Sequence, residues 1–225
     1  MAKEDRTFES QVEDIQQNAQ TYHDAFIKNE APEGPTYHFH LRALNDRQLP
    51  PSDDRIEMVY AVLVSWSMNS RSARMVSYEP FKNSIQDRSD SLEQLKNITP
   101  AEIDQTRNWE ALEDCYKNIC VMKSKSRLVG HSKVLSHLLP DLVAPIDNKF
   151  TLSFLGLNDN SSGKKMGWER FKNIHQNFYY KVITGNDEFL SLARTWLDTA
   201  KYPWNTSILK LVDNLVMGKQ YKAKT

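Results

Sequence analysis

The sequence predicts an all-α fold of about ten helices. Apolar side chains recur three and four residues apart through most of the chain, which is the spacing of amphipathic helices. A single short stretch, residues 37–41, alternates in the manner of a strand. The 225 residues suffice for one large domain or two small ones, and no apolar run reaches the length of a membrane span. We therefore expect a globular helical protein.

The N-terminal part of the chain opens with an amphipathic helix. Over residues 8–28 the apolar positions alternate between spacings of four and three, and the prolines and glycine of residues 31–35 should end this helix. The strand-like residues 37–41 follow. Their two histidines, His38 and His40, could bind a metal, but no third ligand is placed nearby. We interpret them as a surface or buried pair.

A buried helix is predicted after a break at two consecutive prolines. Ser52 and the two aspartates that follow it are typical of a helix start. Residues 58–68 are apolar nearly all round, so this helix should lie inside the fold. Shorter helices are expected to contain residues 81–85 and 92–98.

The remaining helices are predicted from one cap and several apolar stripes. Residues 99–102 combine a cap, a proline and a glutamate at the spacing of a capping box, and the helix they start should run to Cys120. Residues 157–167 have the composition of a flexible loop. The apolar positions of the last helices are Phe150, Leu152, Phe154, Leu155, Trp168, Phe171, Ile174, Phe178, Val182, Phe189, Leu192, Trp196, Ile208, Leu211, Val212 and Leu215.

Charge is distributed unevenly, although the formal net charge of the chain is zero. Residues 1–57 carry 6 basic and 12 acidic side chains, whereas residues 117–181 carry 11 basic and 4 acidic ones. The basic excess favours an anionic partner for the second region, with nucleic acid first. The alternative is an uneven solvated surface without a partner.

The two cysteines do not form a redox or metal motif. Cys115 and Cys120 lie among helical apolar positions, so we interpret both as small core residues. Few cysteines suit a reducing compartment, and the first ten residues lack the apolar core of a signal peptide. We expect a soluble cytoplasmic protein.

Residues 127–150 concentrate the candidate chemistry. One helix is predicted to end near Met122 and the next to begin near Ser132, with Gly130 in the turn between them. The exposed N–H groups of the new helix and the surrounding cations suit one DNA phosphate, held without reading the base sequence. The candidate DNA contacts are Lys123, Lys125, Arg127, Gly130, His131, Ser132 and Lys133. His131 could equally lie on the surface without a ligand.

Asp147 is the candidate catalytic residue. It follows the helix of this segment and a Pro-Asp turn, and Pro145 stiffens the approach to it. Its carboxylate should therefore be firmly positioned. The plainer explanation is that Asp147 caps the next helix, and the two roles are compatible.

These residues together resemble the helix-hairpin-helix (HhH-GPD) DNA glycosylases. In that family a hairpin grips DNA, and an aspartate after a motif like Pro-Val-Asp is catalytic; here residues 145–147 read Pro-Ile-Asp. Residues 60–76 are similar to the early buried helix of the family, whose polar end fills the gap left by a flipped base. Ser67 and Asn69 occupy that polar end.

The resemblance implies an all-α fold with an active cleft between two helical halves, and a base-excision mechanism. The enzyme would flip a modified or damaged base out of the duplex, and Asp147 would stabilise the positive charge on the sugar and activate water. Trp66, Tyr78 and Trp168 could stack on the extruded base, although aromatics at helical spacing are more often core residues. No cofactor or metal is implied. No four-cysteine cluster follows, which excludes the iron–sulfur subgroup.

The hairpin departs from the family pattern in two places. Leu128 occupies the position of the first glycine, so Gly130 is all that is left of the GxG motif. In members that also cut the strand, a lysine stands two residues after the second glycine. That place is Ser132 here, with Lys133 one residue further on. Lys133 is a displaced candidate for the nucleophile, and we expect a monofunctional enzyme that uses water.

These segments also predict the domain organisation. Residues 1–57 should form an acidic helical segment on the core, residues 58–218 the glycosylase-like domain, and residues 219–225 a loose tail. The expected partner is double-stranded DNA, the expected state a monomer, and the expected location the nucleoid, in DNA repair or phage defence. Within the domain we expect a first part (58–122), the hairpin with the catalytic aspartate (123–150) and the C-terminal helices (151–218).

Two other interpretations stay open. Asp141 and Asp147 superficially echo the carboxylates of a metal-dependent nuclease, but they lie close together in a helical context and not on neighbouring strands. The chain could instead be a non-catalytic helical DNA-binding or interaction module, which would also explain the incomplete hairpin motif. Base release would separate a glycosylase from such a module.

Overall fold

The computed structural model describes residues 7–30, 34–69, 74–124, 127–157 and 164–223. Within these ranges the protein is all-α, as predicted, with twelve α-helices and two short π-helices but no β-strand. None of these helices is long and apolar enough to cross a membrane. The α-helices, numbered α1 to α12, are Phe8–Gln17, Ala19–Asn29, Gly34–Asn45, Asp53–Ser65, Tyr78–Gln86, Ser89–Gln94, Thr106–Asn118, Leu128–Leu138, Lys164–Ile174, Tyr180–Thr184, Asp187–Thr195 and Ile208–Lys222. The π-helices, π1 and π2, are Asn148–Leu152 and His175–Tyr179.

The chain divides into two compact units, whose limits differ from those of the predicted domains. Residue 57 does not mark a boundary, because residues 33–57 cluster with the helices that follow them. Most of the predicted flexible loop at residues 157–167 lies outside the described residues, and α9 begins at Lys164. Unit 1 comprises residues 1–32, 144–160 and 172–225, and unit 2 comprises residues 33–143 and 161–171.

Unit 1 has a buried apolar core built from α1, α2, α12 and the helices around π2. The predicted stripe of Ile174, Phe178 and Val182 is fully buried, which confirms its role in the core. Helix α12 packs against α2 and approaches it closely at Gly218. A Cβ added to this glycine would lie 1.9 Å from the carbonyl oxygen of Tyr22.

The predicted helix over residues 8–28 is divided into α1 and α2 at Asn18. The side chain of Asn18 donates to the carbonyl of Asp14 at 3.1 Å, and its backbone leaves the helical region (φ −107°, ψ 14°). A local bond of this kind lets asparagine compete with the helix for backbone partners. The apolar spacing was read correctly, but the break was not predicted.

The last residues are helical up to Lys222, so the predicted loose tail is wrong for residues 219–222. Lys219 forms an ion pair with Asp14, and the hydroxyl of Tyr221 donates to the carboxylate of Glu30. These contacts give the end of α12 partners within unit 1.

Unit 2 contains helices α3 to α8. The predicted cap at Ser52 is confirmed, since its hydroxyl accepts the N–H of Arg55 at 3.3 Å. Helix α4 buries one face through residues such as Ile56 and Leu63, whereas Val64 is 46% exposed. The composition of this helix predicted burial on all sides. That prediction is wrong for the face that carries Val64.

Residues 37–41 form part of α3 and not a strand. The buried face of this helix consists of His40, Ala43 and Leu44, which follow helical spacing. The strand prediction used the short alternation alone and left out the two apolar residues that continue the helical stripe.

The capping box at residues 99–102 forms but does not start an α-helix. Both the N–H and the hydroxyl of Thr99 donate to the carboxylate of Glu102, at 3.0 and 2.8 Å. A turn follows, and α7 begins at Thr106. Because α7 ends at Asn118, Cys120 lies beyond the helix and is exposed, whereas Cys115 is buried as predicted.

Candidate functional site

Asp147 is the N-cap of π1 in unit 1, which confirms the capping role predicted for it. Its Oδ1 accepts the N–H of Lys149 at 2.8 Å, and its own N–H donates to Oγ1 of Thr151 at 3.3 Å. The side chain is half-buried. One carboxylate oxygen therefore has a defined direction, set by the first turn of the π-helix.

The residues that lead to Asp147 are held by side chains from π2. The N–H of Ala144 donates to Nε2 of His175 at 3.1 Å, and the hydroxyl of Tyr179 donates to the carbonyl of Pro145 at 3.0 Å. His175 and Tyr179 are both fully buried. The segment is thus fixed by polar contacts in addition to the stiffness of its proline.

Gly130, in unit 2, lies inside α8 and not in a turn. Helix α7 ends at Asn118 and α8 begins at Leu128, so the glycine is the third residue of the new helix. A Cβ added to Gly130 would lie 3.0 Å from Cγ of Met122. The predicted phosphate-binding turn is therefore wrong, because this glycine makes room for a side chain of the α7–α8 connection.

The side chains of His131 and Ser132 are buried, with exposed fractions of 2% and 0%. The ring nitrogens of His131 lie 2.8 and 3.0 Å from the carbonyl oxygens of Arg127 and Ile119, and burial lowers the pKa of the ring to about 4. The hydroxyl of Ser132 donates to the carbonyl of Val129 at 3.0 Å. Both side chains are therefore directed at carbonyl oxygens of the protein. This arrangement does not support the phosphate contacts predicted for them.

An antiparallel bridge between Met75 and Met122 joins two basic segments of unit 2, residues 69–76 and 121–127, which we term the basic pair. The structure describes residues 69, 74–76, 121–124 and 127 of these segments. The N–H of Lys123 donates to the carbonyl of Arg74 at 2.8 Å, and both side chains are exposed. In sequence the two segments contain five cations and no carboxylate. The bridge thus brings together the polar end of residues 60–76 and the predicted hairpin.

The other predicted phosphate contacts of the basic pair are Lys125 and Arg127. Lys125 lies outside the described residues. The half-buried guanidinium of Arg127 donates to the carbonyl of Lys117, in the last turn of α7, at 2.5 Å. Arg127 therefore ties the start of α8 to the last turn of α7.

Lys133 lies in a cluster with the half-buried ring of Trp66 and two buried histidines. Its Nζ lies 5.4 Å from the centroid of the Trp66 ring, and the residue is 9% exposed. Nδ1 of His137 donates to the carbonyl of Lys133 at 2.7 Å, because a carbonyl can only accept. Nδ1 of His40 lies 3.0 Å from the other ring nitrogen of His137. The ammonium group of Lys133 therefore faces the Trp66 ring. A contact with phosphate, as predicted, would require this group to face solvent.

The polar end of α4 is exposed where the wedge was predicted. Ser67 and Asn69 are both exposed, and Ser67 has a left-handed backbone with φ of 60°. Oδ1 of Asn69 accepts the N–H of Met75 at 3.2 Å, which ties this turn to the basic pair. Residues held in such conformations cluster at functional sites, so the wedge role stays a prediction with a geometric basis.

Two further aromatic candidates for base stacking differ in exposure. Tyr78 is half-buried at the start of α5, with its ring edge-on to Tyr60 at 5.5 Å. Trp168 is 3% exposed and packs against Tyr116 and Phe171, with ring centroids 5.5 and 5.6 Å away. Trp168 is a core residue, and its predicted stacking on a base is not supported by this packing.

Acidic and histidine side chains form no metal centre in the part of the chain that is described: no group of three or more His, Cys, Asp or Glu could hold an ion there. Asp141, the second carboxylate of the nuclease interpretation, pairs with Arg47 at 3.0 Å and is 64% exposed. It belongs to unit 2, whereas Asp147 belongs to unit 1. Asp141 is thus explained as one partner of a surface ion pair.

The partners of the Asp147 segment were not predicted from the sequence. Thr151 follows Asp147 by four residues, a helical spacing that could have indicated a contact. Nothing in the sequence links His175 or Tyr179 to residues 144–147, because these contacts join parts of the chain that are far apart. His137 could have been found from its spacing of four residues from Lys133.

No protein-family model matches the chain, and comparisons with curated proteins and with solved structures found no similar protein. We therefore base the assignment of function on the residues and the geometry described above.

Proposed function

We propose that the protein is a monofunctional DNA glycosylase that hydrolyses the N-glycosidic bond of a modified or damaged base, with Asp147 as its catalytic carboxylate. The observation that carries the proposal is the fixed segment around Asp147, whose carboxylate is directed by the N–H of Lys149. The order of the chain supports it, since residues 60–76 and 127–150 follow one another as in the glycosylases they resemble. The enzyme would act as a monomer, without a cofactor, on DNA in the nucleoid.

The proposed reaction requires an extruded base and a carboxylate beside its sugar. Extrusion costs roughly a few kcal/mol of unstacking, and least for a damaged base. When the C1′–N bond breaks, its electron pair leaves with the base, which takes up a proton, and positive charge develops on the sugar. Asp147 would stabilise this charge and accept a proton from the water whose oxygen bonds to C1′. The products are a free base and an abasic site.

The proposed DNA contacts are the cations of the basic pair. Arg74 and Lys123 are exposed and lie next to the bridge between Met75 and Met122, so both can reach phosphates without reading the base sequence. This surface replaces the turn at Gly130 as the proposed phosphate grip. Ser67 and Asn69, at the end of α4, are the proposed wedge residues, and double-stranded DNA is the proposed partner.

A non-catalytic DNA-binding or interaction module is the second candidate. It is favoured by the position of Gly130 inside α8, which gives no glycine hairpin. It is also favoured by the bond from Lys149 to Oδ1 of Asp147, because helix capping explains this aspartate without any chemistry. Such a module would bind DNA through the basic pair and release no base.

Base release from modified duplexes separates the two candidates. The full chain is incubated with duplexes that carry oxidised, alkylated, deaminated or bulky bases, and released bases are identified by mass spectrometry. The duplex that gives release is then used to compare Asp147→Asn with a matched control, Asp141→Asn. Asparagine keeps the oxygen that caps π1, so Asp147→Asn should fold and bind DNA while base release slows at least ~1,000-fold.

The control Asp141→Asn should release the base at the wild-type rate, because Asp141 lies in an exposed ion pair. Absence of release from every duplex would favour the non-catalytic module. An unchanged rate for Asp147→Asn would contradict the role of this carboxylate. Alkali cleaves the strand at the abasic sites that base release leaves. Strand cleavage already present before alkali is added would contradict a monofunctional enzyme.

A further inference from the structure

In unit 1, three hydrogen bonds and the backbone of residues 145–147 together form a closed ring. The N–H of Asp147 donates to Oγ1 of Thr151 at 3.3 Å, and the hydroxyl of Tyr179 donates to the carbonyl of Pro145 at 3.0 Å. Oγ1 of Thr151 and the hydroxyl oxygen of Tyr179 lie 3.4 Å apart. Since the proton of Tyr179 is directed at a carbonyl, Thr151 is the donor in this last contact. The ring runs from Asp147 through both hydroxyls and back to Pro145.

The side chains of the ring are buried, so the loss of any one of its hydrogen bonds should be costly. Thr151 and Tyr179 are both 0% exposed, so water cannot replace a bond that is removed. Burial raises the pKa of Tyr179 well above its ordinary value, and the carboxylates of Asp213 and Asp147 add to this shift. The tyrosine therefore keeps its proton and acts as a donor at every working pH.

Helix π2 supplies a second contact to the same segment. His175 and Tyr179 are four residues apart, and they bind the N–H of Ala144 and the carbonyl of Pro145. Two successive residues before Asp147 are therefore held from one short helix. Single π-helical turns are frequent at functional sites, where they redirect side chains within a helix.

We propose that Tyr179 and Thr151 are positioning residues, which set the direction of the Asp147 carboxylate through its backbone. This inference rests on the proposed catalytic role of Asp147. A displacement of about 1 Å in a catalytic group can cost 100-fold in rate, so loss of one ring bond should reduce the rate of base release without changing DNA binding.

The test compares Tyr179→Phe with a control that removes the hydroxyl of another buried tyrosine of unit 1. Tyr22→Phe is this control, because its hydroxyl donates to Asp14 at 2.9 Å, on α1, and takes no part in the ring. Single-turnover base release from a saturating modified duplex should slow about 10- to 100-fold in Tyr179→Phe and stay at the wild-type value in Tyr22→Phe. The dissociation constant for the same duplex should be unchanged in both variants.

A second pair of variants keeps the test decisive if Tyr179→Phe does not fold. Thr151→Val keeps the shape of the side chain and removes both ring bonds of the hydroxyl, whereas Thr151→Ser keeps them. Valine should slow base release about 10-fold or more, and serine should restore it to within about 3-fold of wild type. Equal rates for valine and serine would overturn the positioning role.

The outcomes distinguish this inference from the proposed function. If Asp147→Asn loses base release while Tyr179→Phe and Thr151→Val release the base at the wild-type rate, the positioning role is wrong and the catalytic role stands. If Asp147→Asn releases the base normally, the proposed function itself fails. Slower release in Tyr179→Phe with an equal loss in Tyr22→Phe would indicate a general effect of stability and would also overturn the inference.

Discussion

The Asp147 segment of unit 1 and the basic pair of unit 2 are fixed by different means. Residues 144–151 are tied by polar bonds to fully buried side chains, whereas the basic pair is joined by a short bridge and exposes the side chains of Arg74 and Lys123. A carboxylate that must meet one reacting atom requires ordered surroundings. Cations that contact phosphates require exposure and reach instead. Under the proposed function, each region would meet one of these two demands of base excision.

The helix packing is also more rigid in unit 1 than in unit 2. In unit 1, α12 contacts π1 and approaches the backbone of α2 at Gly218. In unit 2, the glycine of α8, Gly130, faces the flexible side chain of Met122. The first contact cannot adjust without moving a helix, and the second can. Glycine substitutions should therefore have very different consequences in the two units.

Gly218→Ala should cause the largest effect. Its new Cβ would lie 1.9 Å from the carbonyl oxygen of Tyr22 and 2.8 Å from the carbonyl carbon, so α12 must separate from α2. We expect the free energy of unfolding to fall by about 3 kcal/mol or more. Urea denaturation followed by circular dichroism measures this change. Gln220→Ala, on the same helix, should stay within about 0.5 kcal/mol of wild type. A wild-type midpoint for Gly218→Ala would show that the two helices are less closely packed.

The sequence predicted the helices of both units better than it predicted their contacts. Apolar spacing is a local property, so the stripe from Ile174 to Val182 was recognised correctly. Residues 37–41 were misassigned because a short alternation outweighed the continuation of the stripe at Ala43 and Leu44. The break at Asn18 was missed because its cause is one side-chain bond, which apolar spacing does not report.

The candidate site was only partly predictable, for two physical reasons. Asp147 was found because a cap after a proline is a local pattern, but its ring partner Tyr179 is a distant residue without a local signal. Gly130 was misinterpreted because glycine permits a turn without requiring one. In the fold Gly130 adopts a helical conformation, which does not require the backbone freedom of glycine. Its small size matters instead, because Met122 packs against it.

Removing single cations of the basic pair should have an intermediate effect. Arg74→Ala and Lys123→Ala should each weaken binding of duplex DNA about 3- to 10-fold and reduce the slope of log affinity against log salt by about 1. Fluorescence anisotropy at several salt concentrations measures both quantities. The matched control is Arg107→Ala, an exposed arginine of α7 in the same unit, which should change neither. Equal losses in all three variants would indicate a diffuse charge effect, and no loss in any would contradict the basic pair as the DNA contact.

Gly130→Ala should have the smallest effect, and it tests whether the start of α8 takes part in the proposed binding of phosphate. Inside a helix, alanine is favoured over glycine by about 1 kcal/mol, and the contact of its Cβ with Met122 at 3.0 Å can be relieved by a shift of that side chain. These terms oppose each other, so the free energy of unfolding should change by less than about 1 kcal/mol. DNA affinity should be unchanged, because in α8 this glycine presents no turn to a phosphate. If Gly130→Ala instead weakened binding as much as Lys123→Ala while the fold stayed intact, the phosphate grip would belong to the start of α8 and not to the basic pair.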